Sequence, residues 1–321
     1  MINTNPLTGF PARTQVNGWA YIQSTSVRTS TNQHEYLAWS AYDVLGNPVN
    51  GTLFNDSGKL PAFDHGAVVA VVGAVGESRG NLQVWATSLT PVLDVLDIAE
   101  FKSQCLPSVP RDELAHYIVD LEKWATTGIQ NPELRNLSID MWQYLRPFLD
   151  NCPAAKKYHE PVRGGLAKHT WQVVSLTFNP VLYRENLDYD VVIFSALYHD
   201  LGKVREYTDD MNWAPEGRLV SHISIGLEVM AQFTAVKHQT LDPKTLKHIR
   251  HCIEAHHGDF GNVKPLTREA LVVHHADRMM SAIGNITEHI RIGSIDNDGW
   301  STQNSQVLGG NPWVPQMDNR V

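Results

Sequence analysis

His199 and Asp200 stand side by side at the end of an apolar run, Val191 to Tyr198, and Leu201-Gly202-Lys203 follow directly. An imidazole and a carboxylate buried together without partners are costly, by several kcal/mol. Such a pair persists when a cation, most often a metal ion, sits against it. Further ligands can be sought by helical spacing, because residues three and four apart share a face. His169 aligns with Leu166, Val173 and Leu176, and His222 with Ile225, Val229 and Phe233. His256 continues Leu246, Ile249 and Ile253, while Asp277 lies with Val273, Met280 and Gly284. His199 itself follows Val192 and Ala196, with Asp200 one step round beside Ile193 and Leu197.

A lone histidine on an apolar face is ordinarily a satisfied core side chain. Six ligand-type groups on five expected helices are not explained that way. Four imidazoles and two carboxylates suit transition metals, and they match a two-metal site in which one carboxylate bridges the ions. One division places His169, His199, Asp200 and Asp277 around the first ion, with Asp200 bridging to a second held by His222 and His256; the spacing defines the set and leaves the division open. Two divalent ions in such a set ionise water near neutral pH for attack on a phosphate ester. Lys203, one turn past Asp200, is the expected cation for a non-bridging phosphate oxygen. His159, Arg163 and His257 flank the set and are expected substrate contacts. His238, His248, His251 and His289 sit among polar neighbours and read as solvent-facing.

These groups need elements to position them, and the chain supplies them in blocks. It has 321 residues, which favours two domains with connectors. Of the 15 histidines, twelve lie between His159 and His289, so the metal chemistry belongs to the second half. Residues 1–17 read as a polar leader with little structure of its own. Residues 18–95 alternate short β-type runs (Tyr36 to Tyr42, Val49 to Phe54, Val68 to Gly73, Leu82 to Ala86) with Gly/Asn/Pro turns, the pattern of a small barrel or sandwich, OB-type barrels included. Residues 96–152 read as a helical connector, and 153–291 as helices throughout. Residues 292–321 form an aperiodic tail rich in Gly, Asn, Pro and Trp, expected to lie extended over the surface or a partner. Trp39 and Trp85 in the β segment are candidates for stacking on bases.

Composition excludes several classes. A net charge of −8 argues against a binder of polyanions working by bulk electrostatics. No run is long and apolar enough for a membrane span, and MINTNPLTGF lacks a signal-peptide pattern. Three scattered cysteines, Cys105, Cys152 and Cys252, form no CxxC pair, and a cytoplasmic setting is the expectation.

The pattern His169…His199-Asp200…Asp277 resembles the HD superfamily of metal-dependent phosphohydrolases. Within it the chain is similar to YhaM-type 3′→5′ exoribonucleases, which join an N-terminal OB-fold to an HD domain. The matching stretches are Tyr158-His159-Glu160, Gly165-Leu166-Ala167 with His169, and His199-Asp200-Leu201-Gly202-Lys203-Val204-Arg205-Glu206. His222-Ile223-Ser224-Ile225, His256-His257-Gly258, the surroundings of Asp277, Val71-Val72-Gly73 and Arg79-Gly80-Asn81-Leu82-Gln83-Val84 continue it. The resemblance implies a multidomain α+β chain with an OB-like β-barrel, a helical connector and an all-α HD domain. It implies divalent metal, manganese most often; the histidine-rich two-metal set itself favours manganese, iron, cobalt or nickel over magnesium. It further implies hydrolysis of single-stranded RNA, or DNA, from the 3′ end. The chain departs from the pattern at Gly258-Asp259-Phe260-Gly261 and in the Trp300/Trp313 tail. The competing readings are a phosphohydrolase of nucleotides or cyclic nucleotides whose β domain serves assembly, and a binding protein with structural metals. A homo-oligomer is expected in either enzyme reading.

Overall fold

The structure, a computed structural model, describes residues 3–54, 60–78, 81–156, 160–179, 186–291, 295, 298–302, 304–305 and 308–315. It divides into two compact units, Met1–Pro107 and Ser108–Val321.

The first unit is a closed five-stranded barrel followed by one helix. Its strands are β1 (Gln15–Thr29), β2 (Glu35–Tyr42), β3 (Pro48–Phe54), β4 (Val68–Ser78) and β5 (Asn81–Pro91), and α1 is Val95–Cys105. They close in the order β1-β2-β3-β5-β4, with β4 returning to β1. All described pairings are antiparallel except β3 with β5, where Gly51 faces Val84. This is the OB-like barrel. Alternation along β2 sends Leu37, Trp39 and Ala41 inward to meet Val69, Val71 and Val84. Trp39 is only 3% exposed, and it fits because its cross-strand neighbour is Gly51, where a Cβ would overlap the indole. The expectation that Trp39 stacks on bases is therefore corrected: its ring is a core group with no free face. Trp85 does face outward, about half exposed, lying across Gly76, where a Cβ would collide with its ring.

The leader also differs from expectation. Leu7 is buried in the barrel core, its N–H donates to Asp43 Oδ2 at 3.2 Å, and the Thr8 hydroxyl donates to the same oxygen at 2.8 Å. The Arg13 N–H reaches the Val75 carbonyl at 2.7 Å, and β1 starts at Gln15. Scattered apolar residues such as Leu7 and Phe10 set no period, so local pattern could not reveal this docking.

The second unit is helical: α2 (Arg111–Thr127), α3 (Pro132–Leu145), α4 (Gly165–Thr177), α5 (Tyr189–Tyr198), α6 (Lys203–Glu206), α7 (His222–Lys237), α8 (Pro243–Glu254) and α9 (Arg268–Arg291). Side chains of short polar residues start several of them. Asn131 accepts from the Glu133 and Leu134 N–H groups, Asp188 from Val191, and Asp242 from Lys244 and Thr245. Pro132 and Pro243 stand at first-turn positions where a missing N–H has no consequence. Every residue from Val191 to Tyr198 is buried, and α5 packs against α4, α8 and α9. An apolar run with no polar face thus becomes the central helix. The segment read as a connector, 96–152, divides: α1 goes with the barrel, whereas Leu121, Ala125, Leu134, Leu137 and Met141 of α2 and α3 are wholly buried in the helical core. Truncating such leucines to alanine costs about 2–5 kcal/mol, so α2 and α3 are structural parts of the unit that carries the site.

The histidines read as solvent-facing have partners instead. His238 Nε2 lies 2.9 Å from Asp140 Oδ2, His248 lies against Thr267 and Glu269, and His251 Nε2 accepts the Leu266 N–H. His289 is buried, with Nδ1 2.6 Å from the Ser301 hydroxyl. That contact and the Ser305–Asn285 hydrogen bond lay the described part of the tail along the end of α9. No helix among the described residues is long and apolar enough to cross a membrane.

Candidate metal centre

The helices bring all six expected ligands together. His169 lies within α4 and His222 opens α7; Asp277 lies within α9. His199 caps the C-terminus of α5 in right-handed backbone, with Asp200 next, and His256 comes two residues after α8 ends. His199 and His256 thus sit at helix C-termini, where the backbone dipole favours a cation.

Hydrogen bonding fixes the imidazoles' orientation. The Nδ1 of His199 is 2.9 Å from the Ala196 carbonyl, and that of His256 is 2.6 Å from the Ile253 carbonyl. His222 Nδ1 lies 3.1 Å from Glu206 Oε1, which also accepts the His222 backbone N–H. An imidazole that donates from Nδ1 to an obligate acceptor presents a lone pair at Nε2. All three Nε2 atoms face Asp200.

Two clusters result. His169, His199 and Asp277 form one, and His222, His256 and His257 the other; in each, the ligand atoms lie within 4.8 Å of one another. Asp200 stands between them. Its Oδ2 is 3.2 Å from His199 Nε2 and 3.5 Å from His169 Nε2, while its Oδ1 is 3.4 Å from His222 Nε2 and 3.7 Å from His256 Nε2. Each carboxylate oxygen therefore serves one cluster. Asp200 Oδ1, His222 Nε2 and His256 Nε2 are buried and have no hydrogen-bond partner among the described residues. Buried acceptors left unpaired cost about 1–3 kcal/mol each, and lone pairs turned toward one another cannot satisfy each other. A divalent cation in each cluster satisfies them, so the donor set fits metal ions, and its nitrogen content favours transition metals over magnesium.

The charges agree with that fit. Burial pushes Asp200 up, but the surrounding positive charge, foremost the Lys203 ammonium 2.7 Å away, outweighs it and holds its carboxyl well below the usual range. Asp277, with Oδ1 3.1 Å from His169 Nε2, is likewise held well below its ordinary value against burial. Burial lowers His256 strongly and His257 to about 4, so both are neutral ligands at physiological pH. Burial opposes the charge on Lys203 too, yet Asp200 raises it above its ordinary value and keeps the ammonium.

Three residues carry roles that spacing did not assign. His257 joins the second cluster. Glu206, 4% exposed, orients His222, and the buried Glu160 lies with Oε2 3.9 Å from His169 Nδ1. Glu160 and Glu206 fall in loop-like or short-helix sequence with no apolar stripe to test. An acceptor behind a metal-binding imidazole typically contributes 10–100-fold in metal affinity. The change Glu206→Gln keeps the shape and an accepting oxygen but drops the charge. It is expected to weaken loading of the His222 cluster about tenfold in a metal titration, leaving the melting temperature of the metal-free protein nearly unchanged.

Other expected contacts lie elsewhere. The Arg163 guanidinium is held by Asn151 Oδ1, and its backbone by Ser108 and Val109, so its visible role is to anchor the chain ahead of α4. His159 lies outside the described residues.

A helical unit whose histidines and aspartates gather into two clusters around an HD doublet has a counterpart among known families: residues 166–281 match the HD domain family. The particular likeness is to 3′-5′ exoribonuclease YhaM. The Shouchella clausii protein is 29% identical over 279 residues, covering 84% of each chain. The Halalkalibacterium halodurans protein is 24% identical over 310 residues, covering 92% of this chain and 93% of its own. That of Bacillus subtilis is 24% identical over 301 residues, with 90% and 93% covered. These spans take in the barrel as well as the HD domain. Among solved structures, a replication protein A heterotrimer bound to single-stranded DNA aligns with 28% of this chain and 67% of its own. Its TM-score of 0.22 and identity of 15% are too slight to bear on function.

Proposed function

We propose that the chain is a metal-dependent phosphodiesterase that removes nucleotides from the 3′ end of single-stranded RNA, and of DNA where the site admits it. The observation that carries the chemistry is the placement of Asp200, one oxygen toward each cluster. Likeness over the full barrel-plus-HD span to proteins named 3′-5′ exoribonuclease supports a polymer substrate over free nucleotides. Bound at the two clusters, a pair of divalent ions, manganese in this reading, would supply an ionised water and neutralise charge on the phosphate.

The protein's own groups do the remaining work. His169, His199 and Asp277 hold one cluster open toward Asp200, and His222, His256 and His257 the other. The Lys203 ammonium, held beside Asp200, is placed to donate to a non-bridging oxygen as charge develops there. Trp85, outward on the barrel, offers a ring for a base of the strand. The three cysteines are free and buried, which suits the reducing cytoplasm in which we place the protein. Self-association completes the reading, supported by the exposed Met279, Ile283 and Ile290 of α9.

Incubation of the purified protein with 5′-labelled single-stranded oligonucleotides and manganese tests this. A ladder shortening from the 3′ end is expected, stopped by a 3′ block and abolished by chelator. No shortening with manganese, iron, cobalt, nickel or magnesium would refute the polymer reading. Turnover of nucleotides or cyclic nucleotides instead would establish the alternative.

A further inference from the structure

The segment behind the second cluster carries an arrangement that metal binding does not use. A single tight turn, Gly258 to Phe260, follows His257, and the Phe260 N–H donates back to the His257 carbonyl at 3.1 Å. The turn is firmly built. Gly258 has φ +55°, a left-handed conformation that favours glycine, and a Cβ there would overlap the His274 ring, whose Nδ1 lies 2.6 Å from the His256 carbonyl. Yet the turn presents Phe260 to solvent, 67% exposed. Its ring lies 4.4 Å from the guanidinium carbon of Arg278, the residue next to Asp277.

An exposed aromatic ring thus sits one turn from a member of the second cluster, and its guanidinium neighbour sits one residue from a member of the first. His257 and Asp277 belong to the side of the site that solvent reaches: His257 is half-buried, and the Asp277 side chain is 11% exposed, whereas that of His169 is fully buried. A guanidinium against one face of a ring restrains it by cation–π attraction and leaves the other face available. The acidic member of the turn, Asp259, is paired with Lys264 at 3.3 Å, which reduces its repulsion of a phosphate chain. An exposed ring held in this way, three residues from His257, is suited to a flat, weakly polar group attached to a phosphate, which describes a nucleobase.

We propose that Phe260, backed by Arg278, is the stacking platform for the base at the 3′ terminus, and that it positions the last phosphodiester against the metal clusters. The inference rests on the nucleic-acid reading above. Stacking on an aromatic ring is tolerant of base identity, so the platform favours the presence of a base over any particular base.

Steady-state kinetics of the manganese-loaded enzyme on two single-stranded oligonucleotides tests it, one with an ordinary 3′-terminal nucleotide and one with an abasic terminal residue. The wild-type enzyme is expected to show a KM about tenfold lower for the ordinary end, with similar kcat. Phe260→Ala should raise the KM for the ordinary end about tenfold, leave the abasic substrate unaffected and so erase the discrimination; Phe260→Trp should restore it. A wild-type enzyme that treats both ends alike, or a Phe260→Ala enzyme that still discriminates, overturns the platform while leaving the exonuclease reading intact. Equal losses on both substrates overturn it too, because they mark a structural effect. A wild-type enzyme that shortens neither substrate overturns the nucleic-acid reading, and the platform with it.

Discussion

Replacing Asp200 by asparagine is expected to lower kcat at least about a thousandfold, roughly 4 kcal/mol of transition-state stabilisation, and, in the two-ion reading proposed above, to reduce bound divalent metal to at most one ion per chain. The substitution changes almost no volume, so the effect isolates what the second carboxylate oxygen does. An amide offers one oxygen and one NH2 group. Whichever cluster faces the NH2 finds a donor where Oδ1 or Oδ2 stood, and a donor there hydrogen-bonds to the lone pairs of His222 and His256, or of His199 and His169, that a cation requires. The change also strips Lys203 of the anion 2.7 Å away, its strongest partner, leaving a buried ammonium with only the more distant charges of Asp277 and Glu206. Removing one member of a buried pair costs about 3–5 kcal/mol, so the metal-free variant should melt lower than the metal-free wild type. Metal analysis after dialysis, read beside kcat on a 3′-labelled strand, checks both parts. Two ions bound and an unchanged kcat would move the chemistry away from this aspartate.

That these six side chains meet was legible because it depends on the helix, whose period is local. His169 and Asp277 lie inside α4 and α9 at the positions their apolar neighbours mark, and His222 opens α7 on its buried face. His257 shows where that reasoning stops. The stripe through Leu246, Ile249 and Ile253 was extended past Glu254, where α8 ends; in the turn beyond it, a residue off the stripe swings into the cluster. Glu206 was invisible for another reason: its partner, His222, is sixteen residues away and the contact has no period at all. In the barrel the strands themselves were readable from alternation, but closure was not. It depends on β1 meeting β4 and on the parallel match of β3 with β5, pairings that no short window of sequence contains. Trp39 had a readable signal in its parity: Leu37, Trp39 and Ala41 form the apolar set of β2, while Ser40 marks the outer face.

The change Lys203→Met should leave metal content intact and reduce kcat about 10²–10³-fold, the range seen when one donor to a developing oxyanion is removed. The two halves of this expectation have different origins. Lys203 is 5% exposed and held on Asp200 Oδ2, so in the metal-free protein it is the counter-ion of that carboxylate. Divalent charge at both clusters replaces it in that role, and methionine of similar length fills the space without a competing cation. Metal affinity should therefore hold steady or rise. The ammonium is then left beside the clusters with its charge uncompensated by Asp200 alone, which is where a phosphate oxygen gains most from it. In the metal-free protein burial lowers the Lys203 pKa and Asp200 raises it more, which keeps the ammonium in its counter-ion role. Full metal loading with kcat within about threefold of wild type would restrict Lys203 to the counter-ion role; loss of metal together with activity would make it part of the binding site instead.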